Sequence, residues 1–91
     1  MHTHIVKRGG GHKEPYDNHK VYASCYAAFI DAGVSKVEAE TLCEKITAHI
    51  DVWVKDKDVV TSQEIFEEIT HEMEVYNKDA AFLYKTHRDI S

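Results

Sequence analysis

The chain lacks most of the features that mark secreted, membrane-bound and disordered proteins. It has one proline and two cysteines among 91 residues, so neither a proline-rich disordered segment nor a disulfide-rich scaffold is expected. No hydrophobic run approaches the length of a membrane span, and no segment resembles a signal peptide. We therefore predict one cytoplasmic domain over residues 1–91, with no membrane partner.

The spacings typical of metal sites and active sites are also missing. There are seven histidines but no Cys-x-x-Cys or His-x-x-x-His pair, so no metal site is predicted. Cys25 and Cys43 stand singly in apolar helical stretches and are expected to be free, buried thiols. No catalytic grouping and no Walker-type phosphate loop can be picked out. Glu67-Glu68 and Glu72-Met73-Glu74 are interpreted as solvated surface, and the chain is expected not to be an enzyme.

Positive charge is scarce overall and concentrated at the N-terminus. The net charge of −5 argues against direct nucleic-acid binding. Residues 1–20 carry four Lys or Arg against two Asp or Glu, whereas residues 21–91 carry seven against fourteen. Composition alone favours ordinary surface charge in the basic stretch, and a local anion site is the alternative.

Residues 5–21 combine this basic charge with a turn and the start of a helix. Gly9-Gly10-Gly11 permits the positive φ angles of a tight reversal, which predicts a β-hairpin over about residues 4–17. Lys7, Arg8 and Lys20 could converge where this hairpin meets the helix. Free backbone N–H groups and the helix dipole favour an anion at such a place.

The remainder of the chain shows helical periodicity. Helices are predicted over about residues 18–32, 36–55, 62–76 and 78–89. Val59-Val60 predicts a third strand. Residues 80–84 are apolar almost all round, so the last helix is expected to be buried on two sides. The predicted fold class is α+β, a four-helix bundle capped by a small β-hairpin or a three-stranded antiparallel sheet.

The N-terminal pattern resembles the ATP-cone, a small regulatory nucleotide-binding domain of ribonucleotide reductases and of their transcriptional repressor. The matching segments are Ile5-Val6-Lys7-Arg8-Gly9-Gly10, Glu14-Pro15-Tyr16-Asp17 and Lys20-Val21. Residues 60–65 are similar to the start of the family's third helix. The resemblance extends roughly from residue 4 to residue 88.

This resemblance implies a site for ATP or dATP with Mg²⁺. Lys7 and Arg8 match a pair that contacts phosphates, and Lys20 matches a helical phosphate contact. Glu14 and Asp17 match the positions that read the adenine amino group, from which a carboxylate can accept a hydrogen bond. The further implied contacts are the base-packing Ile5 and Val21, a hydroxyl from Thr61 or Ser62, and a cation from Lys85 or Arg88.

The chain also departs from the family pattern. Its turn is one residue longer, Gly9 replaces a usual acid, and Phe66 stands where some members have a histidine near the sugar. The resemblance implies a domain that changes conformation or assembly when it binds nucleotide, with a ribonucleotide reductase or a second copy as partner. The alternative is a helical protein-interaction module of the same fold that no longer binds nucleotide and contacts partners around Trp53 or Tyr76.

Overall fold

The structure, a computed structural model, describes residues 4–6 and 13–90, and the side-chain surroundings of residues 15–86. The elements in chain order are β1 (His4–Val6), β2 (Lys13–Pro15), α1 (Asn18–Asp31), α2 (Lys36–Lys55), β3 (Val59–Thr61), α3 (Ser62–Tyr76) and α4 (Lys78–Ile90). Every helix end lies within one residue of its predicted position. The predicted glycine turn lies outside the described residues.

The helix ends are set by residues that sequence chemistry identifies. Thr61 Oγ1 accepts the Glu64 N–H and the Glu64 carboxylate accepts the Thr61 N–H, both at 3.0 Å, which forms a capping box at the start of α3. Asn77 Oδ1 accepts the Ala80 N–H at 3.0 Å and begins α4. Gly33 follows α1 with a φ of 88°, a left-handed conformation that side chains with a Cβ rarely adopt.

The hydrophobic core lies where α1, α2 and α3 meet. Its largest fully buried side chains are Phe29 of α1, Ile46 and Ile50 of α2, and Met73 of α3. All four belong to stripes with helical spacing, so the periodicity that predicts the helices also identifies the faces that they bury.

Helix α4 buries only one face within the described residues. Ala80 and Ala81 are buried in the core, whereas the Phe82 side chain is 67% exposed. The predicted burial of α4 on two sides is therefore wrong. The helix packs against α1 and α3 and turns Phe82 towards solvent.

The predicted fold class is wrong as well. The described chain is a mainly helical globule, and its strands have only three residues each. They are ordered β2-β1-β3, and β1 pairs antiparallel with β2 but parallel with β3. The physical reason is the connection, because the chain passes through α1 and α2 before β3, and a crossover of this length permits parallel pairing. The molecule is therefore not a bundle capped by an antiparallel sheet.

None of the described helices combines the length and the apolar character needed to cross a lipid bilayer.

Candidate functional site

A cleft of about 140 Å³ opens between α1, α3 and α4. For scale, an apolar cavity of about 150 Å³ can hold benzene, so the cleft has room for one ring system. Its lining residues come from the segment before α1 and from three helices. They are Tyr16, Asp17, Lys20, Val21, Ser24, Ser62, Ile65, Phe66, Ile69 and Tyr84.

The apolar part of the cleft is continuous with the core. Ile65 and Ile69 are one turn apart on α3 and therefore share a face, which meets Val21 of α1. All three side chains are buried. Because these residues are held by core packing, the cleft has a preformed apolar floor, as small-molecule sites usually do.

Two stacked aromatic rings form a wall of the cleft. The ring centroids of Phe66 and Tyr84 are 5.3 Å apart, with 22° between the ring planes. Such a pair contributes about 0.5–1.5 kcal/mol beyond its buried area and here joins α3 to α4. Tyr84 cannot be identified as a site residue from the sequence, because its position opposite Phe66 depends on how the two helices pack.

The segment that leads into α1 is fixed to α2 through Asp51. The Tyr16 hydroxyl donates to Asp51 Oδ1 at 2.8 Å, and the Asn18 amide donates to Asp51 Oδ2 at 3.3 Å. Burial, and then the hydrogen bond to Asp51, raise the pKa of Tyr16 well above its ordinary value of 10.0. The phenol therefore stays neutral and holds one side of the cleft in place.

Asp17 caps α1 and also lines the cleft. Its Oδ1 accepts the His19 N–H at 2.9 Å and lies 3.2 Å from His19 Nδ1. The hydrogen bond from the His19 backbone lowers the pKa of Asp17 below 3.8, so the side chain is ionised at neutral pH. Both of these contacts use Oδ1, and neither of them involves Oδ2.

A cation and a helix N-terminus both border the cleft. Lys20 is exposed in the first turn of α1, and Ser62 is the first residue of α3. The first-turn N–H groups of a helix and its dipole favour a negative charge. The Glu64 carboxylate already occupies part of this helix start, since it accepts the Thr61 N–H. The electrostatic preference for an added anion is therefore local and modest.

The structure brings together four of the predicted site residues. Asp17, Lys20, Val21 and Ser62 all line the cleft. Of the two candidate hydroxyls, Ser62 lines it, whereas Thr61 is exposed and caps α3.

The structure describes the surroundings of only one further predicted site residue, Lys85. Lys85 is exposed on α4 and does not line the cleft. Lys7 and Arg8 lie outside the described residues, and so do the side chains of Ile5, Glu14 and Arg88. The convergence of Lys7 and Arg8 with Lys20 stays a prediction.

A second polar cluster lies at the interface of α2 and α3. The His49 Nε2 atom is 2.7 Å from Glu68 Oε2 and 3.7 Å from Glu72 Oε2. Glu67 and Glu74 are exposed, as predicted from the sequence, but Glu68 and Glu72 are partly buried. The interpretation of all four carboxylates as solvated surface is therefore wrong for the two that face His49.

No protein-family model matches the chain, and no curated protein is significantly similar to it. The functional assignment therefore depends on the geometry of the cleft and on the residue pattern of the N-terminal segment.

Proposed function

We propose that this chain is a regulatory domain that binds an adenine nucleotide, ATP or dATP, in the cleft between α1, α3 and α4. One observation supports this most. The residue pattern associates Asp17, Lys20, Val21 and either Thr61 or Ser62 with nucleotide contacts. Ser62 lines a single cleft with the first three, although it is far from them in sequence. Neither the helical periodicity nor the spacing along the chain requires these residues to line the same cleft.

The adenine ring occupies the apolar part of the cleft in this proposal. It packs on Val21 and Ile65 and lies beside the Phe66–Tyr84 pair, since a planar ring fits both the volume and the aromatic wall. Asp17 Oδ2 accepts a hydrogen bond from the adenine amino group. Guanine presents the O6 acceptor at the corresponding position, so an ionised carboxylate disfavours it.

The phosphates lie at the mouth of the cleft. Lys20 supplies an ammonium group, and Ser62 supplies a hydroxyl at the start of α3. Because the chain has a net charge of −5, a triphosphate needs Mg²⁺ and local cations to bind. The resemblance to the ATP-cone assigns Lys7 and Arg8 to that task.

The proposed regulation depends on the helices that the nucleotide would contact. A nucleotide in the cleft contacts α1, α3 and α4 at once, so it favours the arrangement of these helices to which it binds most tightly. A change in that arrangement alters the outer faces of the helices. The proposed consequence is a change in assembly with a ribonucleotide reductase or with a second copy of the chain.

Isothermal titration calorimetry of the full chain with ATP, dATP and GTP, each with Mg²⁺, tests this proposal. We expect saturable heat with an adenine nucleotide and weaker binding of GTP. Lys20→Ala should weaken ATP binding at least about tenfold, since a hydrogen bond to a charged group contributes about 1.5–3 kcal/mol. The matched control is Lys45→Ala, an exposed lysine of α2 that does not line the cleft.

A second variant tests the assignment of Asp17. Asn is as good a helix N-cap as Asp, so Asp17→Asn keeps the start of α1 and removes only the carboxylate. We expect a smaller preference for ATP over GTP in this variant. Equal ATP affinity of Lys20→Ala and Lys45→Ala would contradict the site. The absence of heat with every nucleotide would favour the interaction module instead.

A further inference from the structure

The cluster formed by His49, Glu68 and Glu72, here called the α2–α3 triad, has the composition of a metal site. Each residue offers one ligand atom, and these three atoms all lie within 4.8 Å of one another. The exposed fractions of the His49, Glu68 and Glu72 side chains are 40%, 24% and 18%. The ligand atoms are therefore partly shielded from water, but an ion can still reach them.

Core packing fixes the positions of the triad. Glu68 and Glu72 are one turn apart on the same face of α3, and each directly precedes a buried residue, Ile69 or Met73. His49 directly precedes Ile50, which is buried in α2. Because the buried neighbours hold α2 against α3, the three polar side chains are brought together at the edge of that interface.

The negative charges of Glu68 and Glu72 favour a bound cation at the triad. Two carboxylates one turn apart on a helix repel each other, and here both oxygens face the same imidazole nitrogen. A divalent ion held by all three groups relieves this repulsion. Imidazole combined with carboxylate is a donor set that suits first-row transition metals, Zn²⁺ among them.

Two of the three distances between ligand atoms are close to those around a small divalent ion. Tetrahedral Zn²⁺ with bonds of about 2.0–2.2 Å places neighbouring ligand atoms about 3.3–3.6 Å apart. The distances of 2.7 Å and 3.7 Å from His49 Nε2 to the two carboxylate oxygens lie on either side of that range. Side-chain shifts of about 0.5 Å would bring both into range.

We propose that His49, Glu68 and Glu72 bind Zn²⁺ or a similar first-row divalent ion, with water completing the coordination, and that the ion links α2 to α3. Spacing rules along the chain do not find this site, because His49 and Glu68 are 19 positions apart in the sequence. The site uses no residue of the nucleotide cleft, so it does not depend on the proposed function.

Titration of the metal-free full chain with Co²⁺, followed by competition with Zn²⁺, tests the site. Every sample is free of nucleotide, so failure here is separate from failure of the nucleotide proposal. We expect visible absorption bands of tetrahedral Co²⁺ that saturate at one equivalent and disappear when Zn²⁺ is added. His49→Gln and Glu72→Gln should each weaken binding by at least about tenfold, the smallest loss caused by mutating even an outer partner of a metal ligand.

His71→Gln and Glu74→Gln are matched controls, since each removes the same kind of group from an exposed position on α3. Both should bind Co²⁺ as the wild type does. Circular dichroism without metal checks that all four variants fold, and Zn²⁺ should raise the melting temperature of the wild type and the controls only. The proposal would be overturned if His49→Gln or Glu72→Gln bound Co²⁺ with wild-type affinity, or if His71→Gln lost binding. It would also be overturned if the wild type showed no saturable Co²⁺ binding.

Discussion

The two ends of α1 lie in contrasting surroundings. Its C-terminal half packs against α2, where Phe29 and Cys43 are fully buried. Its N-terminal half borders the cleft, where Lys20 and Ser24 are exposed above the apolar floor. Helix α1 therefore has a buried face around Phe29, here called the closed face. Around Lys20 and Ser24 it has a face bordering the cleft, here called the open face. Ligand sites are usually of the second kind.

The two cysteines both belong to the buried side of α1 and its interface with α2. Burial raises the pKa of Cys25 to about 12 and that of Cys43 to about 11. Both thiols are free, as expected from the sequence, and they stay protonated at neutral pH. Because the thiolate is the reactive form, the closed face offers no cysteine chemistry.

The largest expected effect comes from opening the closed face. Phe29→Ala removes a fully buried ring and should lower the free energy of unfolding by about 3–5 kcal/mol, measured by urea denaturation. Phe82→Ala is the matched control, since it makes the same change at a side chain that is 67% exposed. That control should change stability by about 0.5 kcal/mol or less. Similar losses in the two variants would contradict the account of the core.

The next effect comes from closing the open face. Ser24 lines the cleft and is exposed, so Ser24→Phe should fill the cleft and leave the core intact. We expect calorimetry to show ATP binding at least about tenfold weaker, or about 1.4 kcal/mol, with an unfolding midpoint close to that of the wild type. Ser24→Ala should bind as the wild type does. Undiminished ATP binding by Ser24→Phe would mean that the nucleotide lies elsewhere.

The smallest expected effect concerns the start of α3 beside the cleft. The hydrogen bond from the Thr61 N–H lowers the pKa of Glu64 below 4.5. The ionised carboxylate therefore stabilises the folded state fully above pH 4.5, and this contribution is lost as the pH falls through the lowered pKa. Glu64→Gln keeps a capping acceptor that does not titrate. In thermal denaturation between pH 2 and pH 7, the wild type should melt at a higher temperature than Glu64→Gln at neutral pH, and this difference should shrink at low pH. A difference that does not change with pH would contradict this role of Glu64.

Sequence reasoning succeeds here where the determinants are local. The capping box of Thr61 and Glu64 and the left-handed Gly33 are each set by a few neighbouring residues, so the helix ends could be predicted closely. The direction of β3 could not be predicted in the same way. Its partner strand β1 lies two helices earlier in the chain, and short β-branched runs do not specify direction.

The same division applies to the candidate site. Lys20 and Val21 could be identified because they belong to one contiguous pattern, and both line the cleft. Tyr84 and the anchoring Asp51 were missed because each reaches its position only through helix packing. The α2–α3 triad was missed for the same reason, since its ligand atoms come from two helices and meet only in the folded chain.

The central claim is that an adenine nucleotide binds in the cleft between α1, α3 and α4. A titration of the ¹⁵N-labelled chain with Mg²⁺–ATP, followed by amide chemical shifts, tests it most directly. The account predicts saturable shifts that are largest at residues 17–24, at the start of α3 and around Tyr84, with α2 little affected. Shifts confined to α2, or none at millimolar nucleotide, would contradict it.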